Sequence, residues 1–543
     1  MAIWEDLLNI DIEINRGEDV KAMDYVRSLE SRYRGSPAYW IRRAEVCFRI
    51  EEFTEGFEVL DKLEALINAS RAALAPIDPH GSLVDSSTWQ LLTRRAHMIA
   101  ILVRGGLCPP EDLVNAWKDV LALRSGDIID EIRTRHHLCW ALQTAGRYEE
   151  AEAVFQDPAY KSITRILRRT FTLPQLLAWL NAFRRDPLAY LSPFAVNGRQ
   201  RFILGLTVWG DEFLQPLLKF TLPSLLAEGN LPYLHREGEA RLLIFASEAT
   251  AVKLEASPIY RSLTEQFRCD LVVFPEELTA FPDTYRMMST MHVAAMTAAQ
   301  AASAHFFFLA PDIVMADNFL QVLEGRRRTG WEVVFVPGLM SNLQTMGGVL
   351  EKRYLPSVQP MKISPEDLLS LGLRHLHPST LSDYFYAEEM RRASASVLLW
   401  RMANGGVIAH TFHSSPFLVS AEALDRYDGS MFYTIDGEFL VKIMKSDEHF
   451  LSAGLLVDLK ETCYFELSRP DRRDHPTMFD RSRVIRWGSL QGKTARWLVE
   501  KKVYFKISNE IDNEAYDNSE EVMRTVVQGI DASVPALIRP FSS

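Results

Sequence analysis

The sequence has few cysteines, no excess of basic residues and no long uninterrupted apolar run. Its five cysteines are odd in number, far apart and never spaced as Cys-x-x-Cys, which argues against a disulfide framework and a zinc site. The net charge of -11 argues against the basic surface that a nucleic-acid-binding protein needs to neutralise phosphates. We therefore expect no nucleic-acid partner.

The sequence also lacks the features of a membrane or secreted protein. Its longest apolar region, 293–310, is rich in alanine and is interrupted by Gln300, Ser303 and His305, so it falls short of a bilayer span. It predicts a buried helix that leads into a buried strand. The residues after Met1 show neither the basic nor the apolar part of a secretory signal. We expect no membrane span and a cytoplasmic location.

The composition is that of an ordinary globular protein, with 47% hydrophobic and 24% charged residues over a length of 543. A chain this long exceeds what one core organises, so two or three domains are expected. The patterns described below place a helical-repeat domain at 1–195, an α/β domain at 200–465 and a helical C-terminal extension at 466–543.

The first third of the chain has apolar residues at intervals of three and four, which predicts amphipathic helices over 17–33 and 38–66. A loop is expected over 76–87, which is rich in Pro, Gly, Ser and Asp. Large and small residues alternate where two antiparallel helices would touch. The residues that carry this pattern are Tyr39, Trp40, Ala44, Phe48, Phe53, Gly56 and Leu60, and then Trp140, Ala141, Gly146, Tyr148, Ala151 and Phe155.

This pattern resembles the tetratricopeptide repeat, and a weaker copy surrounds Gly17 and Ala22. Stacked helix pairs of this kind bury a continuous core that one pair cannot bury alone. The resemblance implies a surface for a peptide or partner domain. The alternative is a plain helical bundle that only supports the next domain.

Beyond residue 200, short apolar runs alternate with helical stretches. The alternation predicts a mostly parallel sheet with helices on both faces, and continuous runs fit strands that are covered on both sides. Ligands of such sheets bind at the carboxyl ends of the strands. The runs are 201–208, 240–246, 269–274, 306–309 and 331–336.

The segment 307–314, Phe-Phe-Leu-Ala-Pro-Asp-Ile-Val, resembles the signature of glycosyltransferases with the GT-A fold, in which an apolar strand precedes Asp-x-Asp and a short apolar stretch. The preceding stretch is also similar, because Asp283 can cap a helix that carries Arg286 and ends in small residues. The resemblance covers about 200–465. It implies a Rossmann-like domain that binds a nucleotide sugar, with Asp312 and Arg286 beside the donor diphosphate.

Divalent metal use stays open in this resemblance. A Mn²⁺ or Mg²⁺ ion held by carboxylate oxygens stabilises the leaving diphosphate in such enzymes. Here Ala310 replaces the first acid of the motif, and Asp312 survives as the metal-contacting one. His413, and with less support His410, is the candidate second ligand, although both histidines fit a packing role as well. Without metal, Arg286 can neutralise the diphosphate; a helix-capping or salt-bridge role fits it equally well.

The candidate general base lies in 433–439, where Asp436 and Glu438 flank a glycine before an apolar helical stretch. Either acid can accept the proton of the acceptor hydroxyl, and Asp436 can instead be a helix cap. Trp209 and Asp211, at the end of the first run, match the position where relatives hold the nucleoside. A tryptophan at that position is equally a core residue.

Two smaller expectations concern local structure. Asp317 is expected to cap a helix that begins near Phe319 rather than to bind metal. The glycine pairs 347–348 and 405–406 lack the following helix pattern of a phosphate-binding loop, so ordinary turns are expected.

Three functions are consistent with these observations. The leading one is a glycosyltransferase that moves a sugar, for example from a UDP donor, to a protein or a growing bacterial surface glycan, with the repeats binding the acceptor or a partner protein. The second is a non-catalytic scaffold with a degenerate transferase domain. The third, a nucleotidyltransferase, normally has a Gly-rich basic loop after its first strand, which residues 209–212, Trp-Gly-Asp-Glu, do not supply.

Overall fold

The computed structural model describes residues 2–15, 19–49, 52–74, 82–123, 128–156, 172–194, 200–354, 360–381, 384, 390–392, 397–470, 477–479, 481–507 and 512–538. The chain divides into two compact units. In the described residues, the first unit is helical and the second combines helices with a mostly parallel sheet. The first unit comprises Met1–Arg169, Asp480–Gly492 and Thr525–Ser543, and the second comprises Thr170–Phe479 and Lys493–Arg524.

The first unit contains the amphipathic helices that the three- and four-residue spacing predicts. Those from α4 to α9 pack mainly against their neighbours in sequence. The helices are α1 (Ala2–Asn15), α2 (Asp19–Ser28), α3 (Glu30–Tyr33), α4 (Pro37–Arg49), α5 (Phe53–Leu74), α6 (Ser82–Arg104), α7 (Pro110–Ala122), α8 (Ile128–Thr144) and α9 (Tyr148–Gln156).

Two glycines of the predicted pattern lie where the helices approach most closely or end. A methyl group on Gly56 in α5 would come within 3.1 Å of the Cε of Met98 and 3.4 Å of the Cβ of Cys47. Gly146 follows α8 with a φ of 75°, a conformation that glycine adopts without strain at a helix end. The expectation that small residues allow close packing is therefore confirmed at Gly56, whereas Gly146 serves the helix end.

The loop expected over 76–87 is wrong in its second half, because α6 begins at Ser82. Serine and aspartate favour helix starts as well as loops, so composition alone does not separate the two. Residues 75–81 lie outside the described part of the chain, as does Gly17 of the weaker repeat. Ala22 of that repeat is buried in α2.

The second unit contains the strands. Their bounds are β1 (Arg201–Val208), β2 (Glu239–Ser247), β3 (Arg268–Phe274), β4 (His305–Leu309), β5 (Ile313–Met315), β6 (Val333–Val336), β7 (Leu339–Asn342), β8 (Met390–Arg392), β9 (Val397–Arg401), β10 (Val407–Thr411), β11 (Ser415–Val419), β12 (Ala453–Leu455), β13 (Tyr464–Ser468), β14 (Thr477–Phe479) and β15 (Val503–Phe505).

Seven of these strands form the main sheet in the order β12-β6-β11-β4-β1-β2-β3. All neighbours are parallel except β11, which runs antiparallel to both β4 and β6. The five predicted runs correspond to β1, β2, β3, β4 and β6, so the mostly parallel sheet is confirmed. Three smaller sheets have the orders β15-β10-β9, β5-β13-β7 and β14-β8.

Helices precede, connect and follow the strands. The helices are α10 (Thr172–Arg185), α11 (Asp211–Pro216), α12 (Leu222–Leu225), α13 (Leu231–Glu237), α14 (Glu248–Ala256), α15 (Pro258–Gln266), α16 (Thr284–Ala301), α17 (Phe319–Arg328), α18 (Leu343–Tyr354), α19 (Pro365–Arg374), α20 (Pro378–Leu381), α21 (Ala421–Asp425), α22 (Glu438–Ile443), α23 (Asp447–Leu451), α24 (Arg481–Ser489), α25 (Gly492–Val499) and α26 (Asn513–Ile538).

Short 3₁₀ helices cover Pro187–Tyr190 and Glu276–Ala280, and a π-helix covers Leu217–Thr221. The apolar stretch 293–310 is the predicted helix followed by a strand, α16 and β4. None of the helices in the described ranges is both long and apolar enough to cross a membrane.

The limits of the two units differ from the predicted domain limits at both ends of the α/β region. Helix α10, expected in the helical-repeat domain, groups with the second unit because its aromatic residues contact the main sheet: the ring of Phe183 lies 5.6 Å from that of Phe245. Residues 466–543 are divided between the two units.

Two local predictions are corrected. Gly347 and Gly348 lie inside α18 rather than in a turn, and the ring of Phe220 leaves only 3.1 Å for a methyl group on Gly347. The turn at Gly405, with a φ of 83°, is confirmed. Helix α17 does begin at Phe319, but Asp317 is not its cap.

The backbone N–H groups at the start of α17 donate hydrogen bonds to a segment that is distant in the sequence instead. The buried side chain of Asn230 accepts a hydrogen bond from the backbone N–H of Leu320 at 2.9 Å, and the carbonyl of Gly229 accepts one from Gln321 at 2.9 Å. Asp317, which does not cap the helix, is partly buried, and this burial raises its pKa. A cap supplied by tertiary structure leaves no signal in the local sequence.

Candidate functional site

The carboxyl ends of β1 and β4 lie at the same edge of the main sheet. The two strands are parallel neighbours in which Leu206 pairs with Leu309. The residues that follow them, Trp209 and Ala310, therefore leave the sheet at one edge. Because β3 and β4 run in the same direction, α16, which joins them, begins at this edge as well. It is the edge where ligands of parallel sheets bind.

Asp312 lies where the chain passes from the main sheet into the small sheet β5-β13-β7. Its side chain is nearly buried, with 8% of the residue surface exposed. The backbone is fixed on both sides, because the hydroxyl of Thr221 donates to the carbonyls of Pro311 at 2.8 Å and Ile313 at 2.7 Å. The carbonyl of Asp312 itself accepts from Leu467 at 2.7 Å. The backbone at Asp312 is thus held by two separate segments of the chain.

The segment 427–438, which contains Asp436 and which we call the Asp436 loop, is held by several hydrogen bonds. At its start, the hydroxyl of Tyr427 donates to the carbonyl of Ser430, and the N–H of Ser430 donates to Asp428 at 2.9 Å. The buried ammonium of Lys442 donates to the hydroxyl of Ser430 at 2.7 Å. Burial lowers the pKa of Lys442, and the negative charges of Glu438 and Asp428 oppose that shift.

The end of the Asp436 loop is hydrogen-bonded to α16. The hydroxyl of Ser289 donates to the carbonyl of Tyr433 at 2.6 Å, and the N–H of Tyr433 donates to Glu438 at 2.8 Å. Glu438 is 5% exposed and begins α22. Because it accepts the hydrogen bond from Tyr433, its carboxylate binds the loop backbone. The residue that precedes α22 is Gly437, so Asp436 is not the helix cap that was the alternative for it.

Asp436 and His413 are neighbours in space. The His413 Nδ1 lies 4.0 Å from the Asp436 carboxylate, and the two side chains are partly exposed at 23% and 37%. A methyl group on the adjacent Gly437 would crowd the Thr434 hydroxyl at 3.0 Å and would make only an ordinary contact, at 3.8 Å, with the His413 Nε2. A carboxylate beside an imidazole, open to solvent, is an arrangement that can accept a proton from a hydroxyl.

Tyr464 lies in β13, where it pairs with Met315 of β5, the strand that begins directly after Asp312. Its buried hydroxyl shares a hydrogen bond with Ser415, and burial raises the pKa of Tyr464. The negative charges of Glu466, Asp436 and Asp312 raise this pKa further. Asp312 and Asp436, which are 124 positions apart in the sequence, therefore both affect the ionisation of one side chain.

No family model matches this chain, and no curated protein is significantly similar to it. The side chains that the fold brings together are therefore the basis for a functional proposal. Sequence reasoning missed Tyr464 and Glu466. The only local signal was an acid inside the apolar run of β13, and it becomes meaningful only when β13 pairs with β5 and places Leu467 beside Asp312.

A protein-only metal site is not assembled here. Within the described ranges, no three His, Cys, Asp or Glu side chains are grouped closely enough to hold a metal ion. Ala310, the residue in place of the first motif acid, brings no ligand. Asp312 and His413 stay predicted metal ligands, and an ion at this position would need the donor's own oxygens to complete its coordination.

Arg286 is engaged at the start of α16. Its Nε lies 3.1 Å from the Asp283 carboxylate, and its backbone N–H donates to the same carboxylate at 3.1 Å. Asp283 is thus the helix cap that the sequence predicts. The salt-bridge role that was the alternative for Arg286 is present, and contact with a donor diphosphate stays a prediction.

Trp209 and Asp211 follow β1 but differ in environment. The half-buried ring of Trp209 meets Phe274 edge to face, with the ring centres 6.5 Å apart. Asp211 is exposed and pairs with Lys253 at 2.7 Å on the protein surface. Both lie at the ligand-binding edge of the sheet, and neither contact identifies a nucleoside site.

His410 has a structural role. It lies inside β10 rather than after a strand, and its Nδ1 donates to the carbonyl of Val499 at 2.8 Å. Burial lowers its pKa to about 4, so the ring is neutral near pH 7. The packing role that was the alternative for this histidine is therefore the observed one, whereas His413 is the histidine beside Asp436.

A second buried histidine leads to a prediction about acid stability. His292 lies in α16 against the ring of Phe308, and burial lowers its pKa to about 4. An unfolded chain binds a proton at this position from about pH 6.5 downward. Because the unfolded state then binds more protons, stability is complete above pH 6.5 and falls as the pH falls towards 4.

One pKa unit corresponds to about 1.4 kcal/mol, so His292 alone accounts for roughly 3 kcal/mol of this loss. We expect the unfolding midpoint of His292→Leu to fall less between pH 7 and pH 4.5 than that of the unchanged protein. Calorimetric scans across this range measure it. If the unfolding midpoints of the two proteins fell equally between pH 7 and pH 4.5, His292 would not be a source of the acid instability.

Proposed function

We propose that this protein is a glycosyltransferase that moves a sugar from a nucleotide-sugar donor to a protein or glycan acceptor. The observation that supports this most is the position of Tyr464, whose ionisation is affected by both Asp312 and Asp436. Sequence reasoning assigned these two acids independently to the donor and the acceptor. The effect of both acids on this one side chain supports a transfer reaction, which requires that two substrates bind close together, and the carboxyl edge of a mostly parallel sheet is the usual place for such a site.

On the donor side, the proposal assigns Asp312 to the diphosphate. The leaving group carries two or three negative charges, and a Mn²⁺ or Mg²⁺ ion bound to Asp312 and to diphosphate oxygens would stabilise them. Arg286, at the start of α16, is the second candidate for this task, since a guanidinium binds phosphate oxygens through two hydrogen bonds. Trp209 and Asp211 would contact the nucleoside.

On the acceptor side, the proposal assigns Asp436 as the general base. Its carboxylate is partly exposed, whereas Glu438 is buried against the backbone of Tyr433. Proton removal by Asp436 while the hydroxyl attacks would give inversion of configuration at the sugar. His413, 4.0 Å away, would stabilise the carboxylate and hold it towards the acceptor.

The helices of the first unit are proposed to act as tetratricopeptide-type repeats that bind the acceptor or a partner protein, in the cytoplasm. Support comes from the packing of successive helices and from the close approach of α5 to its neighbours at Gly56. A concave surface of stacked helix pairs suits an extended peptide or a partner domain.

A second candidate is a non-catalytic scaffold that retains a transferase-like domain. The specific observation in its favour is Ala310, which removes the first acid of the motif. The glycosyltransferase would turn over a nucleotide sugar, and the scaffold would not. The third function, nucleotidyl transfer, has no comparable support, because Asp211 and Glu212 follow β1 where a basic loop would be needed.

Release of nucleoside diphosphate from a panel of UDP-, GDP- and CDP-sugars, with and without manganese, separates the first two candidates. We expect the full-length protein to turn over donors of one nucleotide class, slowly with water and faster with an acceptor. If no donor binds and none is turned over, the enzyme proposal fails and the scaffold remains.

A further inference from the structure

Two tyrosines meet where α16 and the Asp436 loop come together. The rings of Tyr285 and Tyr433 lie 5.9 Å apart at an interplanar angle of 36°. Tyr285 is one of the exposed large side chains of the described chain, with 50% of its surface open. Tyr433 is partly buried and stands three residues before Asp436.

We propose that Tyr285 and Tyr433 form a stacking platform for a neutral pyranose ring of the acceptor, so that the acceptor is a glycan. This inference rests on the proposed function, because it takes Asp436 as the base that the acceptor hydroxyl must reach. Three residues of extended chain span about 10 Å at most, which keeps Tyr433 within about 10 Å of that residue.

The platform is rigid, as a stacking surface for a small ligand must be. The backbone of Tyr433 is held on both sides, by the hydroxyl of Ser289 at its carbonyl and by the carboxylate of Glu438 at its N–H. Tyr285 lies in the first turn of α16, which Asp283 caps. Ordering these rings therefore costs little conformational entropy when a ligand binds.

The chemistry of the neighbourhood fits a sugar ring. A tyrosine offers an apolar face to the C–H groups of a pyranose and a hydroxyl that can bond to its hydroxyls. The carboxylates of Asp283 and Asp436 flank the two tyrosines in the sequence and are partly exposed. Carboxylates accept hydrogen bonds from sugar hydroxyls and repel anionic ligands, so a neutral hexose is favoured over an acidic peptide.

The test is saturation-transfer NMR on the full-length protein with four probes, the methyl pyranosides of glucose, galactose, mannose and N-acetylglucosamine, and with a neutral Ser- and Thr-containing hexapeptide. We expect transfer to the ring C–H protons of at least one pyranoside. Tyr285→Phe should retain this signal, and Tyr285→Ala should bind about five-fold more weakly.

Tyr190→Ala is the matched control, because Tyr190 is also exposed and stacks on Phe183 outside the platform. It should leave the pyranoside signal unchanged. The inference is overturned by absence of signal from every pyranoside, by a signal from the hexapeptide alone, or by equal signals for Tyr285→Ala and the unchanged protein.

A parallel thermal-shift series with UDP, GDP and CDP separates this inference from the proposed function. Nucleotide binding without pyranoside binding removes only the platform. Pyranoside binding without any nucleotide binding or turnover removes the transferase and leaves a glycan-binding site.

Discussion

Asp436→Asn is expected to lower the rate of sugar transfer by about 10²- to 10⁴-fold, the usual contribution of a general base. An amide has nearly the shape of the carboxylate but cannot accept the acceptor proton. Donor binding should be unchanged, because the proposal assigns the donor to Asp312 and not to Asp436. The measurement is kcat for transfer, together with the thermal shift that the nucleotide produces.

Asp447→Asn provides the matched control for this variant. Asp447 is also an acid near a helix start, but its side chain is 86% exposed and pairs with Lys493. It should retain full activity. If Asp436→Asn kept more than about a tenth of the activity, the base would have to be another group, since even the weakest general-base contribution exceeds this.

Gly338→Ala is expected to destabilise the second unit and to reduce activity together. A methyl group at Gly338 would overlap the ring and the hydroxyl of Tyr464. That ring has little room to move, because Phe417 and Phe319 pack against it at 4.5 and 5.8 Å between ring centres. Overpacking of this kind costs about 1–3 kcal/mol.

The loss of activity would follow from displacement of Tyr464, whose ionisation Asp312 and Asp436 both affect. Calorimetry and the transfer assay on the same sample measure both effects. Gly348→Ala is the control, because Gly348 lies in α18 with no atom within 4 Å of the added methyl group. It should be neutral or stabilise the helix by up to about 1 kcal/mol. Equal unfolding midpoints for Gly338→Ala and Gly348→Ala would contradict the close packing of Tyr464 against Gly338.

The parts of the fold that follow from local sequence could be predicted. The strands β1, β2 and β4 are largely buried apolar runs, because both faces of a central parallel sheet are covered. The expectation of two covered faces is wrong for β3, which lies at the sheet edge and exposes Val273. The start of α16 could be predicted from Asp283, since a helix cap acts on residues close to it in sequence.

The parts that depend on distant pairing could not be predicted. Strand β11 inserts antiparallel between β4 and β6, and nothing in its five residues specifies those neighbours. Likewise, β5 pairs with β13 across about 150 residues of chain, and this pairing brings Tyr464 and Glu466 to the site. The cap of α17 also depends on a distant residue, because Asn230 supplies it from about 90 positions earlier in the sequence.

The candidate site shows the same division. The position of Asp312 at the end of an apolar strand, and that of Asp436 before a helix, could be predicted from local sequence, and their roles in a site stay predictions. The choice between Asp436 and Glu438 needed the structure, since only the hydrogen bond from Tyr433 shows that Glu438 serves the loop. Contact between Trp209 or Asp211 and a donor stays a prediction.

The central claim is that Asp312 forms the donor site. Its most direct test is the unfolding midpoint of Asp312→Asn and of the unchanged protein with UDP, GDP and CDP, each with Mn²⁺, Mg²⁺ or chelator. Saturation at 100 times the Kd stabilises a protein by about 2.7 kcal/mol. We predict a rise of the midpoint for one nucleotide with the unchanged protein, and loss of that rise in Asp312→Asn. Full nucleotide binding and full activity in Asp312→Asn would contradict the claim.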